Sequence, residues 1–440
     1  MNEPILWRAT DVPDAFCTVE RVGGRTLTYG GDIRMGDLRN SAEADFLVYR
    51  SVHNAHDEGG MKPCFLGAFT AEGQPIWSAG GGGTQPSRPG PVAIHDLDGD
   101  GQTEVVCFFH DARVDAPATS MADVVIQVRD GATGHVKHEA APARFRSLQG
   151  QGANWAHQRI LVANLRGLPT PQDFVVKIGA HLLALDSSLN ILWEYECPWT
   201  EYGHCPAYIP AVGDIDGDGK DEVNGGYFLI DHDGAVLWQK DLAPHMDSVA
   251  IAPWDDDRMR AICSGHGHVV DERGNVVMKL GGERVPHGQE VRVGRFRRGD
   301  SSPQMVIRWN AHSTEILVVD VKGVPLAEVD LNPSPNNTGM EVVDWDGEGA
   351  PAVLYNGGML WDPLRGIGTP LPGLPAPQGV GRMDWYHCIP ADVCGDAREE
   401  VILYNPWTTR VYLYTQSDND MSVSAGFSPG PRQVNPRLMD

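Results

Sequence analysis

The stretch G-D-I-D-G-D-G-K-D-E, Gly213–Glu222, places five carboxylates within Asp214–Glu222 and spaces them with glycines. An echo, D-L-D-G-D-G-Q-T-E, runs from Asp96 to Glu104. Asp214, Asp216, Asp218 and Glu222 take loop positions one, three, five and nine, and Asp96, Asp98, Asp100 and Glu104 do the same. Alternation turns those side chains to one side of a tight loop that the glycines permit. Like charges so close are costly unless a cation sits between them.

Aligning the chain on these loops recovers weaker copies, each a β-rich run, a polar loop and a second β-rich run. First runs begin at Ile33, Val92, Ile160, Ile209, Val249, Val291, Met340 and Ile389, which makes eight units. Their spacing, about 40 to 70 residues, is that of solenoids and propellers. Most units continue into a second hairpin with a tight turn, usually holding a glycine and often ending in Trp: F-T-A-E-G-Q-P-I-W (Phe69–Trp77), I-D-H-D-G-A-V-L-W (Ile230–Trp238) and, without the glycine, L-D-S-S-L-N-I-L-W (Leu185–Trp193). Two hairpins make a four-stranded blade, and blades in a ring make a propeller. No long segment has helical periodicity, which disfavours a helical solenoid. The eighth unit lacks its outer strand, and P-I-L-W-R at Pro4–Arg8 resembles the missing piece. The expected fold is therefore all-β: one propeller of eight four-stranded blades over residues 1–415, closed by an N-terminal strand, with a tail at 416–440. A ring of seven is the alternative if the weak unit near Arg295 is not a blade.

Composition agrees. The chain has 440 residues, 41% apolar, with 51 glycines and 32 prolines, as a turn-rich β protein requires. A net charge of −24 excludes the basic footprint of a nucleic-acid binder. No stretch reads as a secretory signal or a membrane span. The eight cysteines are scattered, fitting neither a disulfide scaffold nor a C-x-x-C zinc site, and suggest reduced thiols in a cytoplasmic protein. The sequence carries no signal for an oligomeric state.

The density of hard oxygen donors in the two strong loops suits Ca²⁺ in a structural role, pinning one hairpin. The loops are not EF-hands, because no Glu stands at position twelve and no helices flank them. The pattern resembles the calcium-binding loops of FG-GAP-type propeller repeats. More specifically, Tyr208–Val223 continuing through Leu229–Leu242 is similar to the calcium-dependent eight-bladed rhamnogalacturonan lyases and related propeller polysaccharide lyases, including those acting on ulvan. In such lyases a histidine often precedes the strand; here that residue is His204, in E-Y-G-H-C-P-A-Y.

If the acidic loops join first to second strands, they share one end of the ring. The connections before first strands and after second strands then share the other. Twelve of the 16 histidines fall in those connections. Before first strands stand His157, Tyr202 with His204, His245, His287, Asn337 and His387. After second strands stand His53 and His56, His110 with Arg113, His181, His266 with His268, and Arg308 with His312. Imidazoles and phenols transfer protons near neutral pH, and guanidinium groups neutralise carboxylates. Together they suit β-elimination of a uronate, in which C5 loses a proton, the carboxylate is neutralised and the departing oxygen is protonated.

His204 has the best case as base, because slot and resemblance agree; His157, His245, Tyr202 and His387 follow. Arg113 and Arg308 are the candidate carboxylate clamps, with His110, His268 and Asn337 as further substrate contacts. A single histidine is more often structural, so two or three acting chemically is the expectation. The leading reading is a lyase acting on acidic, uronate-containing oligosaccharides. The alternatives are a non-catalytic carbohydrate-binding propeller, a glycosidase, which more usually shows a pair of acids on an end that here reads as poor in them, or metal chemistry at His266/His268 or His53/His56.

Overall fold

A computed structural model describes residues 1–52, 62–86, 88–114, 116–117, 120–148, 159–201, 203–242, 244–332, 339–347, 349–379, 384–419 and 427. Eight four-stranded antiparallel sheets form a closed propeller. The first strand of each sheet lies innermost, against the first strands of its neighbours. In blade order these strands are Asp32–Gly36, Val92–His95, Ile160–Ala163, Ala211–Gly213, Val249–Pro253, Glu290–Gly294, Glu341–Val343 and His387–Ala391. The unit near Arg295 is a full blade, the sixth, so the count is eight. Among the described residues no helix is long and apolar enough to cross a membrane.

Each sheet is covered on both faces by neighbouring sheets, so its inner strands are apolar runs rather than alternating ones. The core is accordingly a ring of apolar layers between blades. Leu47, Leu66, Val92 and Val105 fill the seam between the first two blades, and Met35, Phe46, Ile389 and Ile402 fill the seam between the last and the first. Pro4–Asp11 pairs antiparallel with Arg410–Gln416 and completes blade eight, closing the ring as expected. A two-stranded hairpin, Thr18–Val22 with Arg25–Tyr29, stands outside the repeat and was not expected. Most of the anticipated tail lies outside the described residues.

The turn glycine and the Trp of the second hairpins have a packing reason. Gly234, in the outer turn of blade four, has φ +91°, and a Cβ there would meet Trp193 of blade three at 2.8 Å. The same Trp193 donates its indole N–H to the His232 carbonyl at 2.8 Å. Gly274 meets Trp238 in the same way, one blade on. The turn glycine thus supplies both the left-handed conformation and the space for the preceding blade's aromatic ring.

Blades one and six carry matching sequences at the start of their inner strands, D-I-R-M-G (Asp32–Gly36) and E-V-R-V-G (Glu290–Gly294). Arg34 pairs with Asp32 at 2.9 Å and donates to the Val92 and Gly90 carbonyls of blade two at 2.8 Å. Arg292 pairs with Glu290 at 2.7 Å and donates to the Met340 carbonyl beside blade seven at 2.7 Å. In blade one the fully buried Asp32 also accepts hydrogen bonds from Tyr49 and, at 2.9 Å, from Tyr404 of blade eight, so the Asp32–Arg34 pair ties three blades together.

Burial pushes the Asp32 carboxyl up, but Arg34, His387 and the two phenols outweigh it and hold it below the usual range. Asp32→Asn leaves Arg34 buried without its charge partner, and the expected cost is about 3–5 kcal/mol. Denaturant unfolding of the variant measures this; a loss below about 1 kcal/mol, the scale of an exposed pair, contradicts it.

Candidate functional site

Because every inner strand pairs antiparallel with its second strand, the acidic loops gather at one end of the ring, and the connections rich in imidazole gather at the other. His110 ends a second strand, His181 and His268 begin third strands, and His387 begins an inner strand. His53, His56, His157, Tyr202 and Asn337 lie outside the described residues.

The tightest grouping at this end spans blades four to six. Asp247, buried just before the fifth inner strand, lies between two imidazoles: His287 Nε2 is 2.8 Å and His245 Nε2 3.2 Å from its Oδ2. The two rings meet edge to face at 4.6 Å between centroids. Burial pushes the Asp247 carboxyl up, yet the hydrogen bonds from His245 and His287 outweigh it and hold it below the usual carboxylate range. An imidazole whose Nε2–H points at a carboxylate keeps Nδ1 as its acceptor. The His287 side chain is 30% exposed and His245 only 7%, so His287 is the one a ligand reaches. His204 stands in the adjoining connection, where Met246 N–H bonds the Cys205 carbonyl at 3.1 Å. Its own Nδ1 lies 3.3 Å from Asp241.

Arg308 lies beside His287. The Ala311 N–H donates to the His287 carbonyl at 2.9 Å, and Gln289 N–H to the Arg308 carbonyl at 2.8 Å. The guanidinium is fully buried. Its Nη1 donates to the Ser313 carbonyl at 2.9 Å, and its Nε is 3.8 Å from Glu290. Nε and Nη2 have no hydrogen-bond partner among the described residues. The covering turn, 310–313, holds Ala311 at a left-handed φ of 45°. A chain of polar contacts links the two halves: Ser248 Oγ accepts from Arg292 at 3.3 Å, and Arg292 pairs with Glu290.

The remaining sequence-selected residues stand apart. Arg113 is mostly exposed and already forks onto Asp111 of its own loop with two 2.6 Å bonds. His110 lies 3.3 Å from Asp123, whose other oxygen takes Lys62 at 2.6 Å. His387 is buried and stacked on Tyr404 at 5.2 Å, in the Asp32 cluster. His268 is buried, its ring centroid 6.4 Å from that of His266, whose Nδ1 contacts the Val285 carbonyl.

The expectation that this end is poor in acids does not hold. Asp123, Glu194, Asp241 and Asp247 each meet an imidazole there. Sequence reasoning missed them because they come from other loops or strands; only H-M-D, His245–Asp247, offered a local signal.

At the opposite end the two strong acidic loops share one backbone scaffold. Asp96 accepts from the Gly99 and Gly101 amides as Asp214 does from Gly217 and Gly219. Glu104 and Glu222 are buried and accept from Leu97 and Ile215 at 2.8 Å. Donor atoms of Asp214, Asp216 and Asp218 converge within 4.8 Å, as do those of Asp96, Asp98 and Glu104, and of His245, Asp247 and His287. Each set is compact enough to surround one cation.

No protein-family model matches the chain. Two curated proteins of Bacillus subtilis are similar in sequence. The rhamnogalacturonan exolyase YesX is 25% identical over 281 residues, 53% of this chain and 44% of YesX. The rhamnogalacturonan endolyase YesW is 22% identical over 449 residues, 89% of this chain and 68% of YesW. The chain thus spans less than half the length of YesX. Among solved structures, YesW superposes with a TM-score of 0.69 at 18% identity, over 93% of this chain and 76% of that one. The rhamnogalacturonan lyase PL11 of Bacillus licheniformis matches equally, at 19% identity. These likenesses establish the shared propeller fold.

Burial, together with Lys279 and His266, pushes the His268 imidazole down to about 4. In an unfolded chain histidine titrates near about 6.5. The unfolded state therefore binds more protons between the two values, and the stability held above about pH 6.5 is lost as pH falls toward 4. His268→Gln should flatten this acid limb when unfolding midpoints are measured against pH; an unchanged slope contradicts the buried neutral imidazole.

Proposed function

We propose that the chain is a polysaccharide lyase that cleaves uronate-containing glycans of the rhamnogalacturonan kind by β-elimination, at the mouth formed by blades four to six. The observation that carries this is the buried Asp247 carboxylate holding two imidazoles beside the buried guanidinium of Arg308. His287 Nδ1 takes the C5 proton. Asp247 fixes the ring's tautomer and stabilises the imidazolium that forms. The electrons of the C5–H bond become the C4=C5 double bond, and the glycosidic oxygen leaves C4. His204, exposed at the same mouth, supplies that oxygen's proton. Arg308 faces the charge that builds on the uronate carboxylate, once the 310–313 turn moves aside. The likeness to YesW and YesX, named as rhamnogalacturonan lyases, supports the substrate class.

A second reading gives the neutralising role to a divalent cation held by His245, Asp247 and His287, and the mutual closeness of their donor atoms favours it. We further propose that the acidic loop Asp214–Glu222 holds Ca²⁺ structurally. The buried Oε1 of Glu222, which has no hydrogen-bond partner among the described residues, supports this, as does its carboxyl, which burial and the neighbouring aspartates push up to about 8.

The test is incubation with rhamnogalacturonan fragments while following the ultraviolet absorbance of the unsaturated uronate end. The expected result is a rise that His287→Ala reduces by about 10²–10⁴-fold in turnover, the usual weight of a positioned acid or base. Sugar release without that absorbance favours a glycosidase, and no release from any uronate glycan favours a binding propeller. Immediate loss of activity on chelation, restored by a divalent ion, selects the cation reading; activity that survives chelation selects Arg308.

A further inference from the structure

The two acidic loops share sequence and backbone yet differ in what faces them. In blade two, Lys137 reaches into the loop from the outer strand Val136–Ala140. Its Nζ lies 2.6 Å from Asp98 Oδ2, 2.7 Å from Glu104 Oε1 and 3.6 Å from Asp100 Oδ2. With the Leu97 amide on Oε2, both oxygens of Glu104 are satisfied. In blade four the nearest ammonium, Lys220 Nζ, lies 3.7 Å from Asp218 and 2.9 Å from His232 Nε2, and the matching Glu222 has the Ile215 amide on Oε2 and no hydrogen-bond partner on Oε1 among the described residues.

The register explains how Lys137 arrives there. The outer strand of most blades carries a one-residue bulge, and the extra residue of blade two is Lys137. At the equivalent bulge six of the other blades place Trp7, Ile76, Leu192, Leu237, Val277 and Leu326, and the outer strand of blade seven runs without one. Leu237, the blade-four equivalent, is 37% exposed and offers the loop no charge. A bulge re-aims a side chain relative to the regular pleat, and only here does it aim an ammonium at carboxylates.

We propose that Lys137 is a built-in counter-ion that takes the place of a divalent cation in the blade-two loop, so that Asp96–Glu104 is closed without metal while Asp214–Glu222 requires one. An ammonium amid three carboxylates offsets the repulsion that otherwise demands an ion, with no dependence on ion concentration. The inference rests on reading the acidic loops as cation-holding turns.

Counting bound Ca²⁺ on the full chain by native mass spectrometry and calorimetry tests it. Asp98→Asn should leave the count unchanged, and Lys137→Leu, which restores the residue type of the other blades, should raise it by one. The added ion should disappear in the Lys137→Leu/Asp98→Asn double variant. A drop of one ion with Asp98→Asn alone overturns the proposal, because the loop then binds metal beside Lys137. A folded Lys137→Leu protein with no added ion overturns it too. Lys137→Leu that folds only with Ca²⁺ present supports it. Asp216→Asn separates the underlying reading: an unchanged count there removes calcium from blade four, while the two blade-two variants still decide the role of Lys137.

Discussion

The backbone hydrogen bonds between Pro4–Asp11 and Arg410–Gln416 hold the rest of the structure in place. Without them blade eight would expose an unpaired edge, and the ring would be an arc whose terminal seam lies open to water. Closure makes each blade the support of the next, so that apolar layers run unbroken around the ring. It also fixes direction. A ring of like blades sends every inner strand the same way, and the two kinds of connection separate onto opposite ends.

Much of this was legible in the sequence, because it is local. Asp-Gly alternation marks the first hairpins of blades two and four, a tight turn followed by Trp marks several of the second hairpins, and the missing last strand had a visible match at Pro4–Arg8. The site was legible only in part. The sequence set His204, His245 and Arg308 at one end, but not the carboxylate that organises them. Asp247 gains its role from His287, 40 residues later, and no periodicity brings those two together. Arg113 shows the converse: its slot suggested a clamp, yet a neighbour two residues away, Asp111, already takes its guanidinium. The Thr18–Tyr29 hairpin escaped notice because it belongs to no repeat.

Charge is used in three ways around the ring. Asp32 and Arg34 are fully paired and bind blades to one another. Lys137 answers an acidic loop from within. Asp247 serves two imidazoles at once, and beside it Arg308 is incompletely answered, two of its guanidinium nitrogens having no hydrogen-bond partner among the described residues. Charge held out of water without full compensation is costly, and perturbed groups gather where a protein does chemistry.

The most direct measurement is a crystal structure of the protein soaked with an unsaturated uronate disaccharide. The account predicts the sugar at the imidazole-bearing end, its carboxylate facing Arg308 or an ion on Asp247, and C5 within reach of His287. A disaccharide seated among the acidic loops, or on the outer strands, would contradict it.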